Sequence, residues 1–181
     1  SCWASRRRGE GQAPGDVRNQ RLLPAPPPGR SRPCDVPGGS AALHDSYRIG
    51  TRLRVDMPAN HFALHGDERP ALLIAGGIGI TPIKSMAQAL EARGAEFQLH
   101  YAGRSPGEMP FRDRLERQLG DRLSLYSSTD GERMDVEKIL IAAADDMVIY
   151  VCGPQRLISA VTEVAKALGI ARERVRLELF A

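Results

Sequence analysis

The feature that most constrains this chain is a strand, a glycine turn and a helix that follow one another within residues 71–90. The apolar run at 72–74 is typical of a strand buried on both faces. It leads into Gly-Gly-Ile-Gly at 76–79, where glycine permits positive φ and lets a ligand approach the backbone. Thr81 and Pro82 are predicted to be the N-cap and the first residue of the helix. This unit can hold a phosphate-bearing ligand against free backbone N–H groups.

The same unit repeats along the rest of the chain. Strands are predicted at 71–75, 96–102, 122–127, 146–151 and 174–179, and helices at 81–93, 107–119, 135–144 and 154–168. Strands that alternate with helices predict a parallel sheet with both faces covered, whose ligand crevice lies at the carboxyl ends of the strands. The predicted fold class is therefore α/β, with a five-stranded parallel nucleotide-binding domain at 70–181.

The residues before this domain follow different patterns. Residues 38–69 contain a glycine turn and two short alternating or extended runs, at 52–56 and 61–64, and are predicted to be a partial antiparallel β-barrel. Residues 1–37 are rich in Pro and Arg without periodicity, and are predicted to be disordered or atypical.

Charge and composition exclude several classes of function. The net charge is +3, but residues 1–40 contribute +4 and the remainder −1, so the predicted domains carry no nucleic-acid footprint. The three cysteines form no disulfide or metal framework, and no apolar run approaches the roughly 20 residues of a membrane span. These patterns favour a cytoplasmic protein that binds neither nucleic acid nor a membrane.

Three of the predicted strands end in residues suited to a ligand. The first ends in the turn at 76–82, the second in Tyr-Ala-Gly-Arg-Ser at 101–105, and the fourth in Tyr-Val-Cys-Gly-Pro at 150–154. The three loops should meet at one crevice, where two helix N-termini suit a pyrophosphate. Arg104 is placed to contact an adenosine ribose or its phosphate. By itself the glycine turn also fits a domain without ligand, because Pro82 stands where the G-x-G-x-x-G dinucleotide motif has its third glycine.

The motifs, taken in order, carry a resemblance over residues 38–181. Leu-Ile-Ala-Gly-Gly-Ile-Gly-Ile-Thr-Pro, His-Tyr-Ala-Gly-Arg-Ser, Val-Cys-Gly-Pro and the terminal Glu-Leu-Phe resemble the ferredoxin–NADP reductase superfamily. Gly-Gly-Ser and Pro-x-Asn-His-Phe add a likeness to phthalate dioxygenase reductase and vanillate O-demethylase reductase. The resemblance implies hydride transfer from NADH to FMN, and then single electrons for an iron–sulfur partner of an aromatic-ring oxygenase or demethylase.

The resemblance also implies roles for individual residues. Cys152, close to the site of hydride transfer, and Thr81 are the candidate catalytic residues. Contacts to the nicotinamide cofactor are implied for Gly76, Gly77, Gly79, Thr81, Pro82, Arg104, Ser105, Cys152, Gly153 and Pro154. Contacts to FMN are implied for Gly39, Ser40, Glu178 and Phe180. NAD(H) is expected to bind more tightly than NADP(H), although Arg104 and Ser105 suit a 2′-phosphate.

Two departures from the family pattern leave alternatives open. The chain has no Arg-x-Tyr-Ser/Thr string, the flavin-binding motif of the family, which argues against tight FMN binding. It also lacks the four cysteines of the family's iron–sulfur domain, so it is expected to hold no cluster. The alternatives are a non-catalytic NAD(H)-binding module without flavin, and a reductase split over two chains. The electron acceptor would be a ferredoxin or an oxygenase.

Overall fold

A computed structural model describes residues 47–52, 57 and 59–179. The chain divides into two units, Ser1–Thr51 and Arg52–Ala181, and the whole sheet belongs to the second. Gly39, Ser40, Phe180 and the predicted strand at 52–56, apart from its first residue, lie outside the described residues. The predicted domain boundaries after residues 37 and 69 stay predictions.

The second unit is an α/β domain built on one parallel sheet, as the strand–helix alternation predicts. Its strands are β1 (Ala71–Gly76), β2 (Phe97–Gly103), β3 (Leu123–Ser127), β4 (Val148–Gly153) and β5 (Val175–Leu179). Its helices are α1 (Ile80–Ala92), α2 (Arg112–Leu119), α3 (Val136–Ala142) and α4 (Gln155–Ala167). The strand order is β3-β2-β1-β4-β5, and every neighbouring pair is parallel.

Helices cover both faces of the sheet, because successive strand residues point to opposite sides. On one face, Leu73 and Tyr150 pack with the apolar stripes of α1 and α2; on the other, Ile74 and Val151 pack with those of α3 and α4. Tyr150 is fully buried, as is Tyr101, so both tyrosines near strand ends serve packing. Burial on both faces explains why β1 and β4 appear in the sequence as continuous apolar runs.

The second helix begins later than the predicted residue 107. Residues Pro106–Glu108 form a separate 3-10 turn, and α2 starts only at Arg112. Between them Phe111 adopts a left-handed conformation with φ of 63°, which interrupts the helical backbone. Its side chain is 45% exposed, so Phe111 lies outside the buried face of this helix, which Leu115 and Leu119 form.

The described residues ahead of β1 form no strand, so the extended run predicted at 61–64 does not pair into a sheet there. This segment is held to the domain by side chains instead. Phe62 packs edge-on against the Tyr150 ring, and the Tyr150 hydroxyl lies 2.7 Å from the backbone nitrogen of His65 and 2.9 Å from its Nδ1. The Arg176 guanidinium donates to the Ala63 carbonyl, 3.0 Å away. The predicted partial barrel is therefore not observed in these residues.

Candidate functional site

The site lies where the chain changes direction across the sheet. β1 is paired with both β2 and β4, and the helices that follow β1 and β4 lie on opposite faces. Such a switch point opens a crevice at the carboxyl ends of the two strands. The N-termini of α1 and α4 begin at this edge, and the first N–H groups of a helix have no acceptor within it. The N-terminus of α4 therefore presents free N–H donors to the crevice, whereas at α1 the Ile80 N–H already donates to the Gly77 and Ile78 carbonyls and the donors on that side are those of the turn Gly77–Gly79.

Three glycines at this junction are required for backbone packing. A Cβ at Gly79 would collide with the Cys152 carbonyl, and a Cβ at Gly76 would lie 2.8 Å from Pro154 Cδ. A Cβ at Gly153 would lie 3.1 Å from the Gly76 Cα. The turn after β1 and the end of β4 thus lie too close together to admit a side chain at any of these three positions.

Gly77 has a different environment from the other three glycines. Its φ is 55°, in the left-handed region, and an added Cβ would have no atom within 4 Å. The backbone at this position faces open space above the turn. Among the glycines of the turn, Gly77 is therefore the position where a side chain would meet a ligand rather than the protein.

Thr81 is not the N-cap that the sequence predicts. The 3-10 turn Gly77–Gly79 runs directly into α1, which begins at Ile80, so the backbone is already helical at Thr81. Its hydroxyl donates to the Ile78 carbonyl at 2.9 Å instead of capping a helical N–H. The Thr81 side chain is exposed at the crevice edge, and Pro82 follows in the first turn of the helix.

Cys152 and Glu178 are brought together, because they are register partners on β4 and β5. The Cys152 side chain is fully buried in the core under α1. Burial, with a smaller contribution from the Glu178 carboxylate, raises the pKa of the Cys152 thiol to about 11. The thiol is therefore protonated at neutral pH, so it supplies an uncharged, compact wall beside Gly153 rather than a thiolate nucleophile.

This burial gives a first prediction. In a chain carrying Cys2→Ser and Cys34→Ser, the Cys152 thiol is expected to resist dithionitrobenzoate in the native state and to react at once in denaturant. The native state keeps its proton up to about pH 11, whereas the unfolded thiol loses it near its ordinary 9.0. The stabilising contribution is therefore complete below pH 9.0 and lost as the pH rises through about 11. Fast reaction of the folded protein at neutral pH would contradict the burial.

A cleft of about 560 Å³ lies at the ends of β2 and β3. It is lined by Ala102, Arg104, Tyr126, Ser128, Glu132, Arg133, Met134 and Arg156. Backbone hydrogen bonds join its two sides, from Ser128 N–H to the Gly103 carbonyl at 3.2 Å and from Thr129 N–H to the Arg104 carbonyl at 2.9 Å. The strand-end loops thus form one continuous wall.

The sequence predicts only part of this cleft. Arg104 lines it as expected, whereas the Ser105 hydroxyl donates to the Glu108 carboxylate at 3.2 Å and Ser105 does not line it. Arg133 and Arg156 were missed. The signal that would have found Arg156 is its place two residues beyond Pro154, in the first turn of a helix that starts at the same edge.

The residues described in the structure contain neither a helix able to cross a membrane nor a cluster of potential metal ligands.

Comparisons with known proteins find oxidoreductases and reductase components among the relatives of this chain. The family model described as "Dimethylamine monooxygenase subunit DmmA-like, N-terminal domain" matches residues 57–175. Oxidoreductase NdmD of Pseudomonas putida is 44% identical over 80% of this chain and 25% of its own length. A vanillate O-demethylase oxidoreductase of Pseudomonas sp. (strain HR199 / DSM 7063) is 38% identical over 80% of this chain and 46% of its own length.

Among solved structures, phthalate dioxygenase reductase superposes with a TM-score of 0.72 at 30% identity, covering 80% of this chain and 46% of that chain. That reductase is a modular protein for electron transfer from pyridine nucleotides to a [2Fe-2S] centre. The match supports the ferredoxin-reductase type of fold that the motifs imply. The chain spans half or less of the length of each of these relatives.

Proposed function

The chain belongs to the DmmA-like N-terminal domain family, and we propose that it binds a nicotinamide dinucleotide as part of a flavin-dependent reductase serving an oxygenase or demethylase. Two relatives are named as oxidoreductases, one of them of a vanillate O-demethylase, and these names together with the reductase fold support this activity. The observation that carries the proposal is the convergence of the open turn at Gly77 and two helix N-termini on one crevice.

The order of the strand ends along the crevice suits a dinucleotide with its pyrophosphate at the centre. The turn at 77–79 lies after β1, in the middle of the sheet, and its N–H groups favour an anion there. The adenosine end extends over β2 and β3 into the cleft beside Arg104. The nicotinamide end extends over β4 and β5, where Gly153 and Pro154 end the strand and Glu178 lies alongside.

The residues at the nicotinamide end would orient and shield the reacting groups. The buried Cys152 thiol keeps its proton and closes the wall behind Gly153, which excludes water without adding charge. Bound flavin would supply the chemistry, accepting a hydride and passing on single electrons. Gly39, Ser40 and Phe180, which the resemblance assigns to flavin, stay predictions because they lie outside the described residues.

A matched pair of variants at Gly77 tests the dinucleotide site. Asn and Asp both tolerate the left-handed backbone that φ of 55° requires, and they differ mainly by one negative charge. Gly77→Asp is expected to weaken dinucleotide binding at least about tenfold more than Gly77→Asn, because the carboxylate would face the pyrophosphate. Titration calorimetry of the full chain with NADH and NADPH measures the difference. Equal affinities in the two variants would show that the pyrophosphate does not bind at this turn.

A further inference from the structure

We propose that the cleft at the ends of β2 and β3 holds the 2′-phosphate of NADP(H), so that this chain prefers NADP(H) to NAD(H). The inference rests on the proposed function, because it concerns the adenosine end of the same dinucleotide. It departs from the preference for NAD(H) that the resemblance implies. The reason is Arg133 and Arg156, two residues outside the motifs that carry the resemblance.

Three guanidinium groups, those of Arg104, Arg133 and Arg156, line this one cleft. Within the described part of the chain, none of them takes part in an ion pair or a side-chain hydrogen bond. Other arginines of the same domain are engaged: Arg112 pairs with Glu116, and the Arg174 guanidinium donates to the Met147 and Ala144 carbonyls. Unpaired cations that share a cleft repel one another, and an anion placed among them relieves that repulsion.

The position of the cleft along the sheet indicates which anion binds there. The pyrophosphate belongs at the turn after β1, so the next phosphate toward β2 and β3 is the one on the adenosine ribose. A phosphate offers several acceptor oxygens to the planar fork of an arginine, which binds it through two parallel hydrogen bonds. Tyr126 and Met134 add apolar surface for the adenine, and the Tyr126 ring is fixed by a hydrogen bond of 2.8 Å to His100 Nδ1.

One residue of the cleft favours the other cofactor. Glu132 is the acidic residue of its lining, and a carboxylate there accepts a hydrogen bond from a ribose 2′-hydroxyl and repels a phosphate. Its backbone N–H donates to the Ser127 carbonyl at 3.0 Å, which fixes the loop while the side chain stays exposed. Three guanidinium groups and one carboxylate leave the cleft with an excess of positive charge. The cleft therefore favours a ribose 2′-phosphate over a free 2′-hydroxyl.

The test compares two ligands that differ only by the phosphate in question, adenosine 2′,5′-bisphosphate and adenosine 5′-monophosphate. Calorimetry on the full chain is expected to show the bisphosphate binding at least about tenfold more tightly. Arg133→Gln and Arg156→Gln are each expected to lower the affinity for the bisphosphate about tenfold and to leave that for the monophosphate nearly unchanged. Glu132→Gln is expected to raise the affinity for the bisphosphate alone.

Arg172→Gln is the matched control. Arg172 is exposed and lies before β5, at the amino ends of the strands, so this variant makes the same charge change at the opposite edge of the sheet. It should leave both affinities unchanged. Because all three arginines tested are exposed, the thermal unfolding of each variant should match that of the unmodified chain.

Three outcomes overturn the proposal, and they are distinguishable. If the two ligands bind with equal affinity, and NADH and NADPH do too, the cleft does not bind the 2′-phosphate, while the proposed dinucleotide site is unaffected. Failure to bind either dinucleotide would remove the proposed function as well. Loss of both ligands in the arginine variants would show a role for these residues other than selection of the phosphate.

Discussion

Gly79→Val is expected to abolish dinucleotide binding by damaging the sheet edge itself. The glycine motif alone predicts that a side chain at residue 79 blocks the approach of the pyrophosphate. In the structure, a Cβ at residue 79 instead meets the Cys152 carbonyl and lies 2.8 Å from the Gly153 nitrogen. Main-chain atoms paired within a sheet cannot move aside as a flexible side chain does. Overpacking of this kind costs about 3 kcal/mol in the free energy of unfolding, at the upper end of its usual range.

A loss of that size corresponds to a fall in Tm of about 10 °C for a domain of this length. Circular dichroism during heating measures it, and calorimetry with NADPH measures binding. Gly66→Val is the control, since a Cβ at Gly66 has no atom within 4 Å and the change should leave Tm nearly unaltered. If the Gly79→Val protein keeps its Tm and loses only cofactor binding, the side chain acts by blocking the approach of the pyrophosphate and not by damaging the sheet edge.

The 181-residue chain is expected to purify without stoichiometric flavin. It lacks the Arg-x-Tyr-Ser/Thr string through which the family stacks on the flavin and contacts its phosphate. Losing an aromatic contact of about 0.5–1.5 kcal/mol and a charge-assisted hydrogen bond of about 1.5–3 kcal/mol weakens binding by about two to three orders of magnitude. The visible absorbance of the purified protein, and its reduction of artificial acceptors with NADPH and added FMN, measure the effect.

A fusion tests the same expectation in the opposite direction. A flavin-binding half from a family member, joined before Gly38, is expected to give a yellow protein that NADH or NADPH reduces. The same half supplied as a separate chain tests the split reductase. A fusion that stays colourless would favour the non-catalytic dinucleotide-binding module. If the original chain purifies yellow with one FMN per chain, its own residues build a flavin site that the family motif does not describe.

The sequence predicts the strands and three of the four helix starts closely, and it misses the start of α2 for an identifiable reason. Every strand of the sheet begins and ends within two residues of its predicted bounds, because parallel strands buried on both faces are apolar runs bounded by turns. The start of α2, predicted at 107 and observed at Arg112, depends on the left-handed residue Phe111, and the failed N-cap prediction at Thr81 depends on the 3-10 turn before Ile80. Neither backbone feature leaves a periodic trace in the sequence.

The candidate site also contains residues that the sequence could predict and residues that it could not. The strand ends at the crevice could be predicted, because the alternation of strands and helices fixes which loops share an edge. Arg133 and Arg156 could not, since exposed arginines have no periodicity and only the folded chain brings them to Arg104. The packing role of Gly79 was also hidden, because its neighbour Cys152 is distant in sequence.

The main-chain contact between Gly76 and Gly153 has a consequence for how such a protein can change over evolutionary time. A junction with no room for a Cβ offers almost no substitutions to select, so this part of the crevice is conservative by construction. The arginine cleft is the opposite, because its exposed loop side chains can be exchanged one at a time without disturbing the core. Lineages descended from a common ancestor can therefore alter the side chains of the arginine cleft while inheriting the same junction between β1 and β4.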